Sequence, residues 1–115
     1  MVDQSDHEER ELRLNQGEIS ALKKAIMYLK FSCEDTESLL YAGSPFINSA
    51  LTKLLDVDDL GAQAREFYKK HHEPNELFAL SKIEKLEKET GKPIDTVTKQ
   101  EAFKECIFPF PTSEK

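Results

Sequence analysis

The sequence predicts an all-α fold, a compact bundle of five or six short-to-medium helices. Three observations carry this. Apolar residues recur at spacings of three and four in one segment after another. Helix-start and helix-stop residues bracket those segments. No segment alternates apolar and polar residues between hairpin turns, as a sheet would require. Composition agrees: 33% of the 115 residues are charged and 38% hydrophobic. The charged share exceeds the usual quarter or so, which suits thin helical architecture with much surface.

Residues 1–14 read as a charged arm prone to fraying, and residues 15–115 as one helical domain. The first helix is expected from Asn15, with Glu18 three residues on as a capping box and Leu14 and Ile19 as a hydrophobic staple. Ile19, Leu22, Ile26, Leu29 and Cys33 then form one apolar stripe, with Lys23, Lys24 and Lys30 off it. The helix should run to about Cys33.

Asp35-Thr36-Glu37 starts a short helix that Gly43 ends. Ser44-Pro45 opens the next, with Ser as cap and Pro at the first helical position. Its buried face is Ile47, Ala50, Leu51, Leu54 and Leu55. Asp56 is placed to cap a further helix with Leu60, Ala64, Phe67, Tyr68 and His71 inward, stopped by Pro74. Pro74-Asn75 begins another, burying Leu77, Ala79, Leu80, Ile83 and Leu86, and Gly91 with Pro93 closes it. Thr98 and Glu101 offer a second capping box, before an inner face of Ala102, Phe103, Cys106 and Ile107.

The net charge is −6, unevenly spread. Residues 34–60 hold Glu34, Asp35, Glu37, Asp56, Asp58 and Asp59 against Lys53 alone, a balance of −5. Such a surface repels phosphate backbones, so nucleic acid is not the expected partner. A helix-turn-helix reading of Pro45 to His72 meets the same objection, because Asp58 and Asp59 would face the phosphates. A basic protein surface would be attracted instead. The six acids are therefore one candidate partner-binding set.

Phe108 and Phe110 are the other. They lie in Ile107-Phe108-Pro109-Phe110-Pro111, where the prolines hold the strip extended. It can dock in a partner's groove or pack on its own domain, and self-packing is favoured because soluble proteins avoid exposing such a patch.

Catalytic patterns are missing. There is no Gly-x-Ser-x-Gly and no glycine-rich phosphate loop, since the four glycines stand apart at 17, 43, 61 and 91. The exception with chemical interest is His71-His72-Glu73, the basis of an alternative reading as a small metal- or ligand-dependent enzyme. Adjacent helical histidines point roughly 100° apart, and a metal needs further ligands at defined spacing. No metal and no cofactor are therefore expected.

The start Met-Val-Asp-Gln-Ser-Asp lacks the basic and apolar regions of a secretory signal, and no window is long enough to span a bilayer. Two cysteines make no disulfide framework. The expected setting is the cytoplasm, away from membranes, and the expected function is a non-catalytic protein-binding module of the regulatory, inhibitor or adaptor kind. The stripe of the first helix leaves a homodimer open.

Overall fold

The computed structural model describes residues 7–112. They form six α-helices and one 3₁₀ turn, with no strand among the described residues. In order these are α1 (Gln16–Phe31), a 3₁₀ turn (Thr36–Ser38), α2 (Leu39–Ala42), α3 (Pro45–Val57), α4 (Gly61–Phe67), α5 (Glu73–Thr90) and α6 (Thr96–Ile107). Among them, no helix is long and apolar enough to cross a membrane.

Local chemistry sets several boundaries. The α1 capping box forms on both sides: the Glu18 amide donates to Asn15 Oδ1 and the Asn15 amide to Glu18 Oε1, each at 2.8 Å. Ser44 caps α3 by accepting from the Ile47 amide at 3.3 Å, with Pro45 at the first helical position. Gly91 ends α5 at φ 70°, the left-handed region that glycine enters without strain. Gly61 is required for a different reason: a Cβ there would lie 2.1 Å from the Leu55 carbonyl oxygen.

Other boundaries differ from the sequence reading. α1 stops at Phe31, two residues before Cys33. Asp56 caps nothing, because α3 continues through it to Val57. α5 begins at Glu73, with His72 as an N-cap whose side chain makes no capping hydrogen bond. Asp95 rather than Thr98 caps α6: its carboxylate accepts from the Thr98 amide at 3.2 Å. Aspartate is the stronger cap, and it wins when both are in reach. Of the arm, residues 1–6 lie outside the described residues. Residues 8–15 form no helix, and the His7 ring meets that of Phe46 of α3 in a tilted contact at 5.6 Å.

The buried apolar residues form two clusters. One joins Ile19 and Ile26 of α1 to Leu51, Leu54 and Leu55 of α3. The other joins Ala42 of α2, Ala79 and Ile83 of α5, and Cys106 and Ile107 of α6. Buried lysines tie the surrounding helices together. Lys30 is fully buried, and its ammonium donates to the Ala42, Glu105 and Cys106 carbonyls at 2.7, 2.8 and 3.4 Å. Lys82 donates to the Leu29 and Cys33 carbonyls, both at 2.9 Å, and to Ser38 Oγ at 2.7 Å.

Both lysines serve the C-terminal ends of helices, Lys30 those of α2 and α6 and Lys82 that of α1. Carbonyls there lack intrahelical donors, and the helix dipole favours a cation. Burial pulls the Lys30 pKa from 10.5 down to about 8.

The inner face of α1 is thus Ile19, Lys23, Ile26 and Lys30, not the all-apolar stripe. Leu22, expected inside, is 43% exposed. Expected inner residues Leu60, Phe67, His71 and Leu77 are exposed as well. The chain leaves much apolar side chain in water.

Candidate functional site

Phe110 organises the most aromatic region of the surface. The chain turns back after α6, with the Phe110 amide donating to the Ile107 carbonyl at 2.9 Å. The ring is buried and meets Phe31, Phe67, Tyr68 and His72 at centroid distances of 5.6, 5.8, 5.1 and 5.5 Å. The first three are edge-to-face contacts, the favourable geometry for paired rings. Phe108 is half-buried against the α1–α3 cluster, with the Lys30 ammonium 6.0 Å from its ring centre.

The aromatic cluster floors an open groove of about 760 Å³ between α1 and the α4 region. Tyr28 of α1 and Leu60 and Phe67 beside it stay 57%, 61% and 62% exposed. Lys23 and Lys24 line the α1 side. His72 packs its ring into the cluster and leaves Nδ1 buried without a hydrogen-bond partner.

The acidic candidates do not share a face. Asp58 sits where α3 gives way to α4, against the first half of α1. Its carboxylate is paired with Lys23 and accepts from Gln16 at 2.7 Å and from the Leu60 amide at 3.2 Å. Its side chain is 1% exposed, so it is a structural anchor rather than a docking group. Asp56 and Asp59 are exposed nearby, Asp56 paired with Arg65. Glu34, Asp35 and Glu37 follow the far end of α1, a helix of 16 residues and hence about 24 Å long. There the Glu34 carbonyl accepts from Lys85 at 3.4 Å. Residues adjacent in charge bookkeeping are separated in space by α1 itself.

The hydrogen bond from Lys23, with those from Gln16 and Leu60, holds the Asp58 carboxyl below its usual 3.8. Its stabilising contribution is complete above that value and lost as pH falls through the folded-state value. Urea unfolding should therefore show Asp58→Ala clearly less stable than the parent at neutral pH, with the gap narrowing below pH 3.8. Asp56→Asn and Asp59→Asn should unfold like the parent, since both side chains are exposed.

The histidine pair diverges. His71 is exposed and reaches Glu76 at 3.6 Å, whereas His72 turns into the aromatic cluster. Among the described residues, no group of three or more His, Cys, Asp or Glu side chains is placed to hold a metal ion.

The groove was not read from the sequence. Its walls come from three separated segments, residues 20–32, 60–75 and 110, and nothing local announces their meeting. The one available signal was the excess of large apolar residues beyond what each helix could bury.

No family model matches the chain, and no curated protein or solved structure is significantly similar to it.

Proposed function

We propose that this chain is a non-catalytic protein-binding module and that the groove between α1 and α4 receives its partner. The observation that carries this reading is the ring of Tyr28, Leu60 and Phe67, each more than half exposed around the buried Phe110. Exposed aromatic and aliphatic side chains clustered over a concave floor are the signature of an interaction site, because leaving them in water costs free energy that docking recovers. Aromatic residues also dominate the energetics of protein interfaces. The groove is floored by a rigid packed cluster, so little ordering cost falls on this side of a complex.

The divergence of His71 and His72 weighs against the enzymatic alternative, which needs them to converge on one substrate or ion. The two acidic patches remain available to a basic partner, but each is smaller than the segment suggested. A cytoplasmic regulator or adaptor fits this reading.

Selection of a displayed random-peptide library on the immobilised chain tests it. Peptides enriched on the parent should lose at least about tenfold in affinity for a Tyr28→Ser, Phe67→Ser variant, a change of about 1.4 kcal/mol or more. The variant should stay folded, since both side chains are exposed. Failure to enrich any sequence, or equal binding to parent and variant, would contradict the proposal.

A further inference from the structure

Resting on that reading, we infer that the groove takes an acidic amphipathic helix of a partner protein. Charge on the lining points there. The lining side chains able to carry charge are Lys23, Lys24 and His72, and no Asp or Glu is among them. This holds in a chain with 22 acids against 16 Lys and Arg, where an unselected surface would show acids first.

Lys23 is already matched by Asp58. Lys24, one position round the helix, is exposed and forms no ion pair among the described residues. Lys69 and Lys70 follow Tyr68 directly, and of these Lys69 is paired with Glu66. The groove therefore presents mostly apolar walls with one lining lysine, Lys24, that the described residues leave without an ion-pair partner.

The shape points to a helix. The described residues offer no strand edge for an extended peptide to join. The flanking elements are themselves helices, and a third helix can lay an apolar stripe of side chains between two others. Acidic residues flanking that stripe would meet Lys24 and its neighbours.

The net charge supplies a discriminating sign. Two acidic bodies repel overall, and added salt would strengthen their binding. Local pairing between partner carboxylates and Lys24 weakens with salt instead.

Two synthetic amphipathic peptides with the same Leu and Phe face, one flanked by Glu and the other by Lys, provide the test. They are titrated against the full chain, Lys24→Glu and Phe67→Ser. The acidic peptide should bind at least about tenfold tighter than the basic one. Its affinity should fall as salt rises. Lys24→Glu should remove most of the difference, and Phe67→Ser should weaken the acidic peptide. Equal or tighter binding of the basic peptide at a site lost in Phe67→Ser would overturn the acidic assignment and leave the groove as the docking site. Binding by neither peptide, or binding indifferent to Phe67→Ser, would overturn both.

Discussion

Lys30→Ala should lower the free energy of unfolding by about 4 kcal/mol. Two losses combine. The side chain is fully buried, so truncation opens a cavity where its methylene stem packed. The Ala42, Glu105 and Cys106 carbonyls also lose their shared donor, and Asn48 Nδ2 replaces it only at Glu105. Lys30→Met keeps the stem and removes the donor, so its cost should fall between the parent and the alanine variant. Urea unfolding at neutral pH measures all three.

The same residue gives stability a pH dependence of unusual sign. Below pH 8 the ammonium is charged in both states. Between about 8 and 10.5 the unfolded chain holds a proton that the folded chain has released. The unfolded state then binds more protons, and stability rises with pH. Lys82 is shifted in the same direction by its own burial. Burial raises the Cys106 thiol above its ordinary 9.0, which gives the opposite sign once the unfolded thiol ionises. The clean window is therefore pH 8 to 9, with a gain of at most about 1.4 kcal/mol from Lys30. Lys30→Met should reduce the slope and leave only the part that Lys82 contributes.

Phe110→Ala should cost about 3–5 kcal/mol, the range for truncating a buried aromatic ring. Phe110 touches rings from α1, α4 and the turn before α5, and it fixes the last residues of the described chain to all three. Phe110→Leu should cost much less, since it refills most of the volume. Thermal unfolding of the pair checks this. An alanine variant as stable as the parent would mean that the C-terminal turn is not part of the core.

Helix count and helical class were legible because capping chemistry is local. Asn15 with Glu18, Ser44 with Pro45, and Gly91 each act within a few residues of themselves. Self-packing of the C-terminal strip also follows from short-range reasoning, since two phenylalanines so near a capped helix have little reach. The inner faces were less legible. Hydropathy places Leu22 inside and Lys30 outside, but Lys30 meets carbonyls from residues 42, 105 and 106, and no window on α1 contains them. Asp58 was misplaced for a related reason: acids after a helix read as surface charge until Lys23 and Gln16, at least 35 residues away, close on them. The groove depends on three such long-range meetings together.

Amide chemical-shift mapping with the tightest peptide from the library selection tests the central claim most directly. Perturbations are expected along residues 23–31 of α1, at 60–72 around α4, and at Phe110. Changes centred instead on Glu34–Glu37 and α2, or on α3 near Phe46, would place the docking site elsewhere and contradict the account.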